Sequence, residues 1–452
     1  MTSLSPALYR TWVLCLATLL CPVHVVATEV WPQGNWTKVE PKDVGLDPML
    51  LEKARDYALT AGGSGYITRS GKLVISWGDV KKRYDLKSTT KSFGATALGV
   101  AVLDGKIKLS DQVKQHHPGF GTPPDSNEAT GWIDKITILH LATQTAGFEK
   151  PGGYGELIFE PGTKWAYSDC GPNWLAECVT LAYRQDVDAL MFDHVFTPLG
   201  ITRQDLVWRS NSYRPKEIDG IQRREFGSGI SANVDAMARF GLLYLRGGEW
   251  NGKRLLPEDF VKQAGTTVPS VVGLPEVDPE NYGNASDHYG LLWWNNADGT
   301  LQNVPRDAYW AWGLYDSLIV VIPSLDIVVA RAGQSWKRNS NEHYDVLKPF
   351  LDPIVAAADT KVGQVKSNRE GIKQAAIQLT STPQKDDPLD LHAVGSSAIW
   401  LGRKRMLSLA DSKLFDKLAR RTQPVNRGRD DASRVASPLA DRINPRQARD
   451  LE

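Results

Sequence analysis

Ser88 to Leu103 read STTKSFGATALGVAVL, and no charge follows Lys91 until Asp104, with Gly105 closing the run. From Phe93 onward apolar or small residues surround the whole cylinder, which is the pattern of a helix buried on every side. Ser88 and Lys91 are three apart and share one face of that helix. Lys91 is therefore held near or inside the protein, where loss of water disfavours the ammonium. A deprotonated lysine one turn from a serine hydroxyl is a nucleophile with its base. Ser-x-x-Lys is nonetheless short, and about one chance match is expected in a chain of this length. Its meaning depends on what surrounds it.

The chain has 452 residues, 42% of them apolar and 23% charged, with a net charge of +1. That length suggests two or three domains, and the composition can build a large core. A balanced charge gives no electrostatic case for nucleic acid as a partner. Arg10, the apolar run from Thr11 to Cys21 and the small residues ending at Ala27 read as a secretory signal, residues 1–27. The run is too short to span a bilayer, so the expected mature protein is secreted or periplasmic without a membrane span. Cys170 and Cys178 then remain. They are eight apart on one helix, about 12 Å, too far for a disulfide.

Outward from Ser88, Pro48 to Ala61 reads as an amphipathic helix, and GYITRSGKLVISWGD as two strands joined at Ser70-Gly71. Between Gly105 and about Leu245 the pattern is mostly helical. Strands return in YGLLWWNN, SLIVVIP and DIVVARAG, the last two joined by Pro323 to Asp326. Strands at both ends with helices between them predict an α/β fold of the α+β type, an antiparallel sheet flanked by helices with an inserted all-helical lobe. The main domain is expected over 28–360. Residues 361–452 read as an extension, partly helical and then mostly disordered. From Ser412 to Glu452 it holds 10 Lys or Arg against 6 Asp or Glu, with few large apolar residues.

Three further segments bear on Ser88. FEPGTKWAYSD, Phe159 to Asp169, resembles the stretch carrying the Tyr-x-Asn element of the serine β-lactamase-like family. ITILHLATQTAGF, Ile136 to Phe148, is similar to that family's Leu-Leu-Thr-His-Thr-Ser-Gly, with Gln144 and Ala146 as departures. The segment from Gly227 to Leu256 resembles its Gly-Gly-x-x-Ser-x-x-x-Asp-x-x-x-Phe. All occur in the expected order, and the resemblance is to the class C β-lactamase and family VIII esterase branch of the penicillin-binding-protein type.

That resemblance implies a β-lactamase/transpeptidase-like fold and a serine hydrolase needing no cofactor or metal. Ser88 would be the acyl acceptor, Lys91 its proton acceptor and Tyr167 a proton shuttle to the leaving group. Asp169 stands where the family has asparagine. A carboxylate beside Lys91 favours the ammonium, so two outcomes are expected. Either Tyr167 takes over as base, the favoured one, or Asp169 is itself neutral.

The third family element, Lys-Thr-Gly, is best matched by Ala311-Trp312-Gly313 in YWAWGLYDS. Glycine there lets a substrate approach the strand, and the Leu314 and Ser88 amides would form an oxyanion hole. Alanine and tryptophan cannot bind a substrate carboxylate, and Trp312 is expected to line the cleft. The expected partner is therefore a small-molecule ester, amide or peptide-like substrate, with a neutral ester or amide favoured over a β-lactam or a D-Ala-D-Ala peptide. A non-catalytic binding or sensing protein of the same fold is the rival from another class. No Gly-x-Ser-x-Gly elbow, phosphate loop or His-Glu-x-x-His is present, and His116-His117 reads as a surface or packing pair.

Overall fold

The computed structural model describes residues 30–338 and 344–358. The signal read over 1–27 and the extension read over 361–452 lie outside them. The frame is a six-stranded antiparallel sheet: β1 (Ser64–Arg69), β2 (Lys72–Trp77), β3 (Trp294–Asn295), β4 (Tyr309–Gly313), β5 (Ser317–Ile322) and β6 (Ile327–Ala332), in the order β3-β4-β5-β6-β1-β2. The two ends of the described chain meet where β1 pairs with β6, Ser64 opposite Ala332 and Arg69 opposite Ile327. At the β1–β2 turn Ser70 and Gly71 are both left-handed, the backbone whose twist suits a two-residue hairpin.

β5 and β6 are buried along their whole length, as covering on both faces requires. Helix α4 (Val234–Leu245), capped by the Asn233 side chain on the Ala236 amide at 2.9 Å, lies on one face. Its Gly241 permits this closeness, since a Cβ there would sit 2.5 Å from Val328 and 2.9 Å from Ile319. Helices α1 (Pro48–Leu59) and α5 (Lys348–Ala358) cover the other face, with Tyr57 against Trp336 and Phe350 against Trp77.

Helix α2 (Thr90–Leu103) is buried at every position from Thr90 to Ala101, as its uniform apolar surface predicts. Phe93 stacks on Phe240 of α4, centroids 3.9 Å apart. The insertion between β2 and β3 is mainly helical and also carries a small sheet of Tyr84–Asp85, Ile230–Ala232 and Leu206–Trp208. Strands of two or three residues show no legible period in a sequence. This sheet positions the site, because the Leu86 amide donates to Ile230 O at 2.9 Å.

Helix α3 (Cys170–Tyr183) packs on α2 and carries a buried ionic cluster. Glu177 accepts from Arg214 at 2.8 Å, lies 3.2 Å from Arg223 Nε and meets His117 Nε2 at 2.8 Å. Burial alone would raise this carboxyl, but the His117 hydrogen bond and the two guanidiniums hold it below its ordinary value. His117 is thus a packing residue, and His116 pairs with Asp111 at 2.9 Å. Cys170 and Cys178 are buried free thiols. Glu177→Ala leaves two buried cations unpaired and is expected to cost about 3–5 kcal/mol in urea unfolding at neutral pH. Because the folded carboxyl is depressed, the cluster's stabilisation is present above the unfolded carboxyl range and lost as pH falls through the folded value, so the gap between wild type and variant should narrow in acid.

Candidate active site

Ser88 sits in the 3-10 turn Lys87–Thr89 that feeds α2, half-buried and preceded by a left-handed Lys87 (φ 50°). Asp85 holds that residue twice, its Oδ1 accepting the Lys87 amide at 3.0 Å and its Oδ2 pairing with Nζ at 2.9 Å. One helical turn on, Lys91 is 1% exposed, and its Nζ lies 3.2 Å from Ser88 Oγ. The same Nζ donates to Gly227 O at 3.0 Å and forms an ion pair with Asp169 Oδ1. Three acceptors match the three N–H groups of an ammonium. An amine would keep two of them and turn its lone pair to the Ser88 hydroxyl.

Tyr167 and Asp169 arrive on the loop before α3. Gln144, itself left-handed (φ 65°), clamps the peptide between them: its Nε2 donates to Ser168 O and its Oε1 accepts from the Ser168 amide, both at 3.0 Å. Ser168 Oγ donates to Glu149 O at 2.6 Å, and the Asp169 amide donates to Lys150 O at 2.8 Å. Gln144, noticed in the sequence only as a departure, is thus the residue that fixes the loop. On α3 Asn173 Oδ1 accepts from the Phe226 and Gly227 amides, at 3.0 and 2.9 Å, and so aims Gly227 O at Lys91. Neither Asn173 nor the Gly227 carbonyl was singled out from sequence, since a backbone acceptor leaves no side-chain signature.

The Tyr167 ring lies between Tyr282 (5.1 Å, stacked) and Trp294 (5.9 Å, stacked), with Lys91 Nζ 4.6 Å from its centroid. Trp293 is core, 4.5 Å from Tyr244, whereas Trp294 backs the tyrosine. β4 closes the other side. A Cβ on Gly313 would lie 2.1 Å from Leu86 O and 2.9 Å from Thr89 N, so the glycine is required for strand and nucleophile turn to touch. Leu314 follows it at the mouth, 56% exposed.

Trp312 lies on the strand face opposite the Gly313 side, 7% exposed, with its ring against Tyr344 and 6.4 Å from Trp294, and its indole N–H donates to Asp316 at 3.0 Å. Ala311 shares the Gly313 side of the strand.

A family model described as Beta-lactamase matches residues 52–347. The chain belongs to the beta-lactamase family. An uncharacterized protein of Alkalihalophilus pseudofirmus is 25% identical over 68% of this chain and 94% of its own length. A putative D-alanyl-D-alanine carboxypeptidase of Salmonella schwarzengrund is 24% identical over 36% of this chain, which spans about half (49%) of that relative. Among solved structures, a putative beta-lactamase from Bacteroides dorei superposes with a TM-score of 0.56 at 15% identity, covering 70% of this chain and all of that one. A family VIII carboxylesterase gives 0.50 at 14% identity, covering 68% and 98%.

Among the described residues of this beta-lactamase-family chain, no group of three or more His, Cys, Asp or Glu side chains could hold a metal ion. The family's tyrosine is here a phenol. Burial first, then the Asp169 carboxylate, pushes its hydroxyl well above the usual tyrosine value, and the hydrogen bond with Ser88 offsets only part of this. That opposes the expectation that Tyr167 takes over as base. The physical reason is that Tyr167 is buried beside Asp169, whose charge disfavours an anion on the ring. Asp169→Asn removes that charge while keeping the acceptor oxygen. The Tyr167 hydroxyl should fall back toward its usual value, so the basic limb of the kcat/KM profile for a chromogenic ester is expected to move to lower pH, and an unmoved profile with unchanged kcat would show that Asp169 does not tune the site.

Proposed function

We propose that this chain is a serine hydrolase acting on esters of neutral acyl groups, or on related amides, through a Ser88 acyl-enzyme. The observation that carries the reading is the 3.2 Å contact of Lys91 Nζ with Ser88 Oγ, with the Tyr167 ring 4.6 Å from the same Nζ. Ser88 Oγ bonds to the substrate carbonyl carbon as its proton passes to Lys91. The bond to the leaving oxygen or nitrogen then breaks as that group takes a proton from Tyr167, which is resupplied by Lys91. The Ser88 and Leu314 amides receive the oxyanion. Water attacks the acyl carbon by the same route in reverse and releases the acid.

Of the two base arrangements, we favour Lys91 as the base, because Tyr167 is buried beside Asp169 and the upward push on its hydroxyl disfavours it in that role.

A neutral acyl group is supported by what surrounds the nucleophile. Ala311 carries no polar group, and Lys87, the cation next to Ser88, is already paired with Asp85 and lies 5.4 Å from the Tyr315 ring centroid. Leu314 and Tyr213, both at least half exposed, offer apolar surface near this mouth. Export from the cytoplasm is part of the same proposal and rests on the pattern of residues 1–27.

A fluorophosphonate probe is expected to label the wild type and not Ser88→Ala. In parallel assays p-nitrophenyl esters should turn over at least about 100-fold faster in kcat/KM than a chromogenic cephalosporin or a D-alanyl peptide, a preference of about 2.7 kcal/mol. Probe labelling unaffected by Ser88→Ala would remove the nucleophile from the reading. Faster turnover of the cephalosporin would replace the ester by a β-lactam.

A further inference from the structure

The oxyanion hole in the reading above needs two amides from segments far apart in the chain, Ser88 and Leu314. Its width is set by how the turn at 86–89 meets the turn at 313–317. Two buried hydroxyls join them. Thr89 Oγ1 donates to Ser317 O at 2.8 Å, and Ser317 Oγ donates to Leu86 O at 2.8 Å. Both residues are at most 1% exposed, and neither touches Lys91 or Tyr167 in the hydrogen-bond network of the site. The hydroxyls flank the Gly313 contact, where the two backbones are too close for a Cβ.

Both turns are also strained. Lys87 (φ 50°), Tyr315 (φ 67°) and Asp316 (φ 54°) are left-handed non-glycine residues that stand beside the two amides. Such conformations persist only when their surroundings hold them. Buried Arg331 supports the second turn, donating to Tyr315 O at 2.6 Å and Asp316 O at 3.0 Å, while Lys87 Nζ over the Tyr315 ring joins the turns at the surface.

We propose that Thr89 and Ser317 are positioning residues that latch the nucleophile turn to the end of β4 and so fix the spacing of the two oxyanion-binding amides. This rests on the acyl-enzyme reading above. Oxyanion donors act only where charge develops, so a loosened latch weakens transition-state binding and leaves ground-state binding largely intact. Misplacement by about 1 Å can cost on the order of 100-fold.

Thr89→Val, which keeps the shape and removes the hydroxyl, and Ser317→Ala should each lower kcat on a p-nitrophenyl ester by roughly 10–100-fold. KM should stay within about twofold, and affinity for an arylboronic acid, whose tetrahedral adduct on Ser88 mimics the transition state, should fall in parallel. Thr89→Ser should restore most of the loss. The double variant should lose much less than the product of the single effects, since the pair acts as one unit. Circular dichroism melting identifies which variants are folded, and Ser317→Ala alone suffices if Thr89→Val does not fold. Unchanged kcat and boronate affinity in a folded variant, or a loss that Thr89→Ser does not recover, would overturn the latch while an inactive Ser88→Ala leaves the acyl-enzyme reading standing. Full ester turnover by Ser88→Ala would overturn both.

Discussion

The candidate site is organised by one buried amino group. Lys91 Nζ touches Ser88 Oγ, Asp169 Oδ1 and Gly227 O, which come from the turn before α2, the cap of α3 and the loop before the small sheet. A lysine 1% exposed is costly to bury unless its hydrogen bonds are met, so these three segments are held to one geometry by the cost of leaving any of them. Lys91 therefore ties three segments of the insertion together at Ser88.

Behind those three contacts stands a set of residues that never meet the reacting atoms. Gln144 braces the peptide between Tyr167 and Asp169, Asn173 braces the Gly227 carbonyl, and Asp85 braces the left-handed Lys87 before Ser88. Each does so with two hydrogen bonds from one side chain. Two bonds fix an orientation, whereas one leaves a hinge, and orientation is what a proton relay among three side chains demands.

The helix from Thr90, the β1–β2 hairpin and the β5–β6 hairpin were legible because each depends on a local period: an apolar cylinder, alternation around Ser70-Gly71, or two apolar runs around a short turn. Ser88, Lys91, Tyr167 and Asp169 were legible through ordered motifs, and the fold does bring these four side chains together. The face that Trp312 takes was not legible from its motif position; alternation from Gly313, whose side must face the Leu86–Thr89 turn, decides it. Asn173, Gly227, Thr89 and Ser317 were not legible as site residues, since their value lies in pairings across up to 231 positions and in backbone atoms that every residue type carries.

Asp169 gives this site its particular character, and its consequence runs through two partners at once. A neutral asparagine at the α3 cap would accept from Lys91 without changing the field at Tyr167. A carboxylate there strengthens its bond to Lys91 and, together with burial, pushes the Tyr167 hydroxyl well above its usual value. The tyrosine is thereby disfavoured as an anion. One charge at the α3 cap thus bears on two neighbours at once, pairing with the lysine and raising the phenol.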